Sequence, residues 1–239
     1  MKGASRKKSG DDQLETLDDL SEAIHYNRWI YSMMEPFLGN RVLELGCGIG
    51  NMTVLMAPGR RILGVDIQPK YLRIARETLR KNRNVSFHAM DLGKNLKNLK
   101  NFKADTIVCI NVFEHIKHDS RFLEECAKLL PPGGRLLLFV PALPFLFGSM
   151  DASYGHFRRY FKGELRVKMS MGGFRILECR YLNLLGVLGW WWNGKVLKRT
   201  IVPKGQILLY DRIIRFMAPI EKFLPRPLGL SLFCAGEKR

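Results

Sequence analysis

The fold is decided by residues 41–51, RVLELGCGIGN. The apolar run at 42–45 is typical of a short buried strand. Gly46, Gly48 and Gly50 follow it directly. Glycine lets a backbone take positive φ and approach a ligand closely, and the start of a helix offers unsatisfied N–H groups to that ligand. The stretch therefore predicts a strand, a ligand-binding turn and the start of a helix.

An acidic residue follows the next predicted strand. Residues 61–65 are largely apolar and end at Asp66. An acid roughly 20 residues beyond the first glycine of such a turn can hydrogen-bond the hydroxyls of a ribose. Asp66 stands at that distance from Gly46. The order strand, turn, helix, strand and acid is much more specific than the glycines alone.

The rest of the chain alternates strands with helices, which predicts a parallel α/β sheet. Pro-Gly and Gly-Gly steps mark the breaks between elements. The predicted strands are residues 42–45, 61–65, 85–88, 105–110, 135–140, 174–181 and 228–235, and the predicted helices between them are 51–57, 70–81, 121–130 and 162–171.

These motifs together resemble those of the class I S-adenosylmethionine (SAM)-dependent methyltransferases. Glu44 before the G-x-G-x-G turn matches the first motif of that family, residues 111–116 (NVFEHI) are similar to its fourth motif in small-molecule methyltransferases, and Pro-Gly-Gly before a strand is typical of it. The resemblance covers residues 26–181 and the last strand. It implies a Rossmann-like fold with a seven-stranded sheet, the last strand antiparallel to six parallel ones, and helices on both faces.

The resemblance also implies that SAM is the methyl donor. An acid after the third strand, here Asp91, commonly meets the adenine amino group, and Asn111 lies beside the cofactor at the edge of the sheet. The cofactor-binding residues predicted in this way are Glu44, Gly46, Cys47, Gly48, Gly50, Asn51, Asp66, Ile67, Asp91, Leu92 and Asn111.

The catalytic residues are predicted within residues 148–160, GSMDASYGHFRRY, interpreted as a loop rather than a helix. No other stretch is as dense in polar functional groups, and loops on a rigid sheet commonly carry function. His156 is the candidate base, because an imidazole titrates near neutral pH. Tyr154 and Tyr160 are expected to orient the acceptor. Arg158 and Arg159 are expected to hold a carboxylate or phosphate. The G-H-[FY]-R-R-Y segment resembles that of a bacterial subgroup of the family.

Three further residues are assigned to the acceptor side. They are Tyr26 and Trp29, in the helix before the first strand, and His115, whose E-H-I context suggests a structural or cofactor-side role rather than a catalytic base. No metal is predicted, because no clear carboxylate cluster stands near Asn111.

The domain organisation is predicted as a single methyltransferase domain over residues 13–239. A disordered basic tail at 1–12 precedes it. A cap helix is predicted at 13–38, and an insertion at 182–227 separates the last two strands. The insertion begins with an apolar run that ends in three tryptophans, continues through a basic segment, and ends in an amphipathic helix. Either a lid over the core or a membrane contact fits that pattern.

Composition leaves the acceptor open. The formal charge of +17 is compatible with nucleic acid, an anionic membrane or a phosphorylated substrate. Five cysteines without paired spacing, and no signal peptide, predict a reduced cytoplasmic protein that is peripheral to the membrane if it contacts one. The favoured acceptor is a small molecule or lipid-linked compound, methylated on oxygen or nitrogen. RNA or protein methylation, and a SAM-binding protein without catalysis, are the alternatives; the oligomeric state is left open.

Overall fold

A computed structural model describes residues 14, 17–19, 21–94, 96–221 and 227–239. Seven strands form a single sheet there in the order β3-β2-β1-β4-β5-β7-β6. Strands β1 to β5 pair in parallel, and β7 runs antiparallel to both β5 and β6. The predicted α/β class and the reversed last strand are confirmed.

The strands are β1 Arg41–Leu45, β2 Arg61–Asp66, β3 Val85–Ala89, β4 Thr106–Ile110, β5 Arg135–Pro141, β6 Phe174–Leu182 and β7 Ser231–Lys238. The helices are α1 Ile24–Met34, α2 Asn51–Met56, α3 Pro69–Thr78, α4 Asp119–Leu129, α5 Ser149–Tyr154, α6 Lys162–Met171, α7 Leu184–Trp191 and α8 Lys204–Glu221, with a π-helical turn at Trp192–Val196.

The sheet divides the apolar core into two layers. In β1, Leu43 and Leu45 belong to the cluster on one face and Val42 to the cluster on the other. This is the alternation that a strand with both faces covered requires. The chain winds outward in both directions from β1 and β4, so a crevice opens at their carboxyl ends, where ligands of open α/β sheets bind.

The glycine turn is held in place by backbone bonds and by close packing. The N–H groups of Gly46 and Cys47 donate to the carbonyl oxygen of Val65, at 2.7 and 3.0 Å. Gly46 has φ of +79°, and a Cβ there would lie 2.1 Å from a methyl group of Val112. A side chain at this position would therefore meet both backbone strain and a clash.

Two predicted boundaries are wrong. The last strand begins at Ser231 rather than residue 228 and continues into charged residues, because its ladder to β5 extends to Glu237. The segment interpreted as a loop contains α5, six residues long. Asp151 accepts a hydrogen bond from the N–H of Gly148 at 3.0 Å at the start of α5, and Gly155, with φ of +80°, ends it.

The segment between β6 and β7 folds as α7, the π-helical turn and α8. Helix α8 packs on α1, where the Tyr26 N–H donates to Asp211 at 2.8 Å and Lys204 pairs with Glu22 at 2.5 Å. In the part of the chain that the structure describes, no helix is long and apolar enough to span a membrane. The predicted tail at 1–12 lies outside the described residues, as does part of the predicted cap helix at 13–38.

Candidate active site

A cavity of about 700 Å³ opens at the carboxyl ends of β1, β2, β4 and β5. The glycine turn and the loops after the strands supply one side of it. The segment after α5, helix α1 and the insertion supply the other side. Among its lining residues are Tyr26, Glu44, Gly46, Cys47, Gly48, Asn51, Asp66, Ile67, Asp91, Leu92, Asn111, His115, Tyr154, His156, Arg159, Trp190, Val202 and Ile207.

Asp66 links the end of β2 to the glycine turn. One carboxylate oxygen accepts from the N–H of Gly48 at 2.8 Å and the other from the N–H of Gln68 at 2.9 Å. Burial raises the pKa of this carboxyl, and the hydrogen bonds from backbone N–H groups oppose that rise. The side chain is thus fixed in orientation at the cavity wall, as the ribose-binding prediction requires.

Glu44 is buried beneath the turn and accepts a hydrogen bond from the hydroxyl of Thr53 at 2.5 Å. Burial raises the pKa of Glu44 to about 8, although the Thr53 hydrogen bond opposes the rise. The carboxyl is therefore mostly protonated at neutral pH. It contributes a neutral polar surface to the cavity instead of a charge.

The remaining predicted cofactor residues divide into two groups. Asp91, Leu92, Ile67 and Asn111 line the cavity. Gly50 does not; with φ of +91° it caps the start of α2, and a Cβ there would lie 3.3 Å from the nearest side-chain atoms, which belong to α3 and its C-terminal end. Glycine is needed at this position because α2 packs closely on α3, so the assignment of Gly50 to the cofactor is wrong.

His156 lies between two acidic side chains. Its Nδ1 is 2.9 Å from an oxygen of Asp151, and its Nε2 is 3.8 Å from an oxygen of Glu114. The imidazole of His115 meets it edge-on, with ring centroids 4.7 Å apart, and the ring of Tyr154 lies 5.9 Å away on another side. Tyr154 and His156 both line the cavity, and their catalytic roles stay predictions.

Asp151 orients the ring of this histidine. Burial raises the pKa of Asp151, but the hydrogen bond from His156 and the charge of Arg159 outweigh it and keep the pKa below its ordinary value. An ionised carboxylate accepts hydrogen bonds only. The Nδ1–H of His156 therefore donates to Asp151, and Nε2 lies on the side of Glu114. Burial, reinforced by the neighbouring His156 ring, lowers the pKa of His115 to about 4, so the His115 ring is neutral at pH 7.

Arg159 is a structural residue and not a free binding group. Its Nε donates to Asp151 at 2.8 Å, its Nη1 donates to the carbonyl of Ala142 at 3.0 Å, and the guanidinium stacks on Trp190. The side chain is 1% exposed. Because Asp151, Ala142 and Trp190 hold the buried guanidinium in place, the predicted forked contact with an acceptor is wrong for this arginine.

Arg158 and Tyr160 point away from the cavity towards Asp119. Arg158 pairs with Asp119 at 2.8 Å, and the Tyr160 hydroxyl donates to the same carboxylate at 3.2 Å. Tyr160 is fully buried and stacks on Phe113. Burial raises the pKa of its hydroxyl well above the ordinary value. Both side chains are held by Asp119 and neither lines the cavity, which corrects their predicted roles.

On the helix before β1, the structure separates the two predicted aromatic residues. Tyr26 lines the cavity, whereas Trp29 is 5% exposed and belongs to the core layer behind the sheet. Both residues are aromatic and lie three positions apart on α1, so residue type alone does not show which of them lines the cavity. Trp29 is a core residue, and its assignment to the acceptor is wrong.

Sequence reasoning missed several contributors to the site. Asp151 and Glu114 flank His156, and Trp190 and Ile207 reach the cavity from the insertion. The available signal for Glu114 was its position before His115 in the E-H-I motif. Nothing in the sequence placed the insertion over the cavity, because that contact depends on the tertiary packing of α8 on α1.

Comparisons with known proteins agree with this geometry. Residues 43–136 match a family described as a methyltransferase domain. Two relatives are named ubiquinone biosynthesis O-methyltransferase: that of Bordetella avium is 31% identical over 133 residues, which are 53% of this chain and 54% of the relative, and that of Idiomarina loihiensis is 28% identical over 110 residues, 45% of each chain. The chain thus matches about half the length of these relatives.

Solved structures share the fold. A SAM-dependent methyltransferase from Mesorhizobium loti has a TM-score of 0.61 at 14% identity, covering 88% of this chain and 98% of its own. The Haemonchus contortus phosphoethanolamine N-methyltransferase 2, solved with SAM, has a TM-score of 0.55 at 18% identity and covers 84% of this chain and 49% of its own. Residues 43–136 thus match a methyltransferase-domain family, and the chain has the fold of the SAM-dependent methyltransferases.

The lining residues fit SAM chemically. The fixed carboxylate of Asp66 suits a ribose diol, which donates two hydrogen bonds. The apolar side chains of Ile67 and Leu92 suit the faces of an adenine ring, and Asp91 suits its amino group. The bare backbone at Gly46 and Gly48 leaves room for the rest of the cofactor to lie against the turn. These residues would hold SAM in the half of the cavity beside β1 and β2.

Proposed function

We propose that the protein transfers the methyl group of SAM to an oxygen atom of a small or lipid-linked acceptor. The observation that carries this proposal is the continuous cavity, which joins the SAM-binding residues to His156, an imidazole held by Asp151 at 2.9 Å. When bound, SAM supplies an electrophilic methyl group on a sulfonium sulfur. The acceptor oxygen must then be aligned with that methyl group and free of its proton.

The chain's residues meet the second requirement at His156. Because the Nδ1–H of His156 donates to Asp151, the neutral ring presents the lone pair of Nε2 on its other side. That lone pair takes the acceptor proton, so His156 acts as a general base. A nitrogen acceptor would need less of this arrangement, since a neutral amine already carries a free lone pair. The presence of the Asp151–His156 pair therefore favours oxygen, as do relatives named as O-methyltransferases.

Helix α1 and the insertion would exclude water from the reaction. Tyr26 and Asn27 of α1 and Trp190, Val202 and Ile207 of the insertion line the cavity. Two serines of α5 bind the insertion: Ser149 donates to the carbonyl of Gly194 at 3.0 Å, and Ser153 donates to that of Thr200 at 2.7 Å. The covering segment is thereby linked to the helix that leads to His156, and a closed apolar site strengthens the electrostatic interactions inside it.

The insertion also supports a lipid-linked acceptor. Its outer surface, the insertion face, combines large exposed apolar side chains with basic ones. Its exposed apolar residues are Leu185, Leu188, Trp191, Trp192, Val196, Leu197, Leu209, Ile213 and Phe216, and its basic residues include Lys195, Lys198, Arg212 and Arg215. Tryptophans beside lysines and arginines suit the interface of an anionic bilayer. We propose that the insertion face binds such a membrane and receives the acceptor from it.

The activity is tested by supplying methyl-labelled SAM with separated metabolite, lipid, RNA and protein fractions of producer cells. Label in the metabolite or lipid fraction is the expected result. His156→Ala should abolish that label while SAM affinity by calorimetry stays unchanged. His118→Ala is the matched control, because His118 is exposed and does not line the cavity. Label only in RNA or protein, or an active His156→Ala variant, would refute the proposal.

The membrane contact is tested by flotation with vesicles of phosphatidylglycerol and phosphatidylcholine. The wild-type protein should float with anionic vesicles, and a Trp191→Ser, Trp192→Ser double variant should float at least several-fold less. Met171→Ser is the control, since Met171 is 82% exposed on α6, outside the insertion. Equal flotation of the double variant would mean that the protein binds the vesicles only by nonspecific charge attraction, which salt screens.

The other functions that the sequence leaves open have less support. RNA or protein methylation rests on the positive charge alone, and charge favours any anionic partner. A SAM-binding protein without catalysis would not need a histidine oriented by a buried carboxylate at the cavity wall. Both alternatives are separated from the proposal by the labelling experiment.

A further inference from the structure

Three potential metal ligands converge at the acceptor end of the cavity. Glu114 and His115 lie in the 3₁₀ turn after β4, and His156 follows α5, about forty residues later in the chain. One ligand atom from each of the three lies within 4.8 Å of the others. The sequence predicts no metal here, since no carboxylate cluster stands near Asn111 along the chain. Only the fold returns His156 to the same place.

The carboxylate of Glu114 is the second observation. The residue is completely buried, and within the described part of the chain neither carboxylate oxygen accepts a hydrogen bond. The Nε2 of His156 is 3.8 Å from one of these oxygens, beyond hydrogen-bond distance. Burying a carboxylate without partners is costly. A bound cation is one of the few explanations that would satisfy both oxygens.

The environment of His156 matches that of a metal-binding histidine. Such a histidine commonly donates its other ring N–H to a carboxylate, which fixes the tautomer and orients the ring. Here Asp151 accepts that hydrogen bond at 2.9 Å and is itself held by Arg159 and by the N–H of Gly148. The Nε2 lone pair then points to the same small volume as Glu114.

We propose that Glu114, His115 and His156 bind one divalent transition-metal cation, of which Zn²⁺ is the first probe. Two imidazoles and one carboxylate are a ligand set of catalytic zinc and of non-haem iron sites, which keep a position open for a further ligand. Ligand atoms about 2.0–2.1 Å from a tetrahedral zinc are about 3.4 Å apart. The separation of 3.8 Å between Glu114 and His156 needs only a small contraction to reach that geometry.

His115 and His156 both line the cavity, so a cation bound by them would be within reach of the proposed acceptor oxygen. This catalytic consequence rests on the proposed function, whereas cation binding does not. Coordination lowers the pKa of a hydroxyl. The hydroxyl proton leaves to water, an oxygen lone pair forms the new O–C bond, and the S–C bond breaks with its electron pair left on sulfur. In this arrangement His156 serves as a ligand and the cation replaces a base.

Cation binding is tested on the full chain after chelator treatment and removal of the chelator. Wild-type protein should take up one equivalent of Zn²⁺ by calorimetry and elemental analysis, and Co²⁺ in its place should show the visible bands of a low-coordinate site. Glu114→Gln and His156→Ala should each weaken Zn²⁺ binding at least 100-fold. Asp151→Asn should weaken it about 10- to 100-fold, because it removes only the orienting carboxylate.

Two controls keep the outcome interpretable. His118→Ala should bind Zn²⁺ like wild type, since His118 is exposed and outside the cluster. Each variant should retain its SAM affinity, which shows that it is folded. If Glu114→Gln does not bind SAM, Glu114→Asp replaces it. The Glu114→Asp variant should bind Zn²⁺ more weakly than wild type. Less than a tenth of an equivalent bound by wild type, or binding indifferent to both Glu114 and His156, would overturn the proposal.

Turnover separates this inference from the proposed function. Loss of labelling after chelation, with recovery on adding Zn²⁺ or Mn²⁺, would support a catalytic cation. Full labelling by chelated enzyme would overturn that catalytic role. One bound equivalent that depends on Glu114 and His156, in a protein that labels no fraction, would support the cation site and count against the methyl-transfer proposal alone.

Discussion

Glu44→Gln should remove a specific pH dependence of stability. The carboxyl is 3% exposed below the glycine turn, and burial raises its pKa from 4.5 to about 8 in the folded protein. The folded state therefore holds a proton that the unfolded state has released between those two pH values. By linkage, the free energy of unfolding falls as the pH rises through this window. Glutamine is close in size and does not titrate, so the variant should lack this fall.

The shift sets the magnitude of the effect. A rise from 4.5 to about 8, at 1.36 kcal/mol per pKa unit, corresponds to about 5 kcal/mol of stability lost as the pH rises through that window. Near pH 5 the wild type and Glu44→Gln should be similar in stability, because the wild-type carboxyl is then protonated in the folded state. Near pH 9 the variant should be the more stable of the two by several kcal/mol.

Urea denaturation of the SAM-free protein at a series of pH values measures this difference. The quantity to compare is the free energy of unfolding of Glu44→Gln minus that of wild type, at pH 5 and at pH 9. Glu77→Gln is the control, because the Glu77 side chain is 73% exposed on α3 and its loss should leave the pH profile unchanged. A difference between variant and wild type that is the same at both pH values would refute the argument that Glu44 is protonated by burial.

Three further substitutions test the assignments made at the site. Asp66→Asn should weaken SAM binding at least 10-fold by calorimetry, because it replaces a charged acceptor, whose hydrogen bonds contribute about 1.5–3 kcal/mol, with a neutral amide; equal affinity would remove Asp66 from the ribose site. Tyr160→Phe should cost about 1 kcal/mol in urea denaturation through the lost bond to Asp119 and leave methyl transfer intact. A stable but inactive variant would return the tyrosine to the chemistry. Trp29→Ala should cost about 3–5 kcal/mol as a core truncation, with KM for the acceptor nearly unchanged; a large KM effect at full stability would place Trp29 at the acceptor.

The site depends on two connections that are distant in sequence. Asp151 joins the start of α5, His156 and Arg159, and it also accepts a hydrogen bond from Trp190 of the insertion at 3.3 Å. One buried carboxylate thus couples the orientation of the candidate catalytic histidine to the segment that covers the cavity. The position of the insertion and the geometry of His156 are therefore set together.

The local sequence pattern determined the sheet and the cofactor side. Alternating apolar residues, glycines that need positive φ, and an acid after β2 are short-range features, and their consequences lie within a few residues of each other. For that reason the order of residue types around Gly46 and Asp66 predicted the fold class, and most of the residues assigned to the cofactor line the cavity. Gly50 was misassigned because its constraint comes from packing on α3, which a spacing pattern does not reveal.

Only the tertiary structure decided the acceptor side. Within residues 156–160 the sequence shows five consecutive polar or aromatic side chains and cannot say which face the cavity. Packing against Asp119 and Asp151 turned Arg158, Arg159 and Tyr160 into internal partners, and it left His156 beside Glu114 and His115. Residue type and spacing determined which groups were present. The pairing of buried charges determined which of these groups remain available for chemistry. A charge inside a protein must be paired, and the tertiary structure decides which group lies close enough to pair with it.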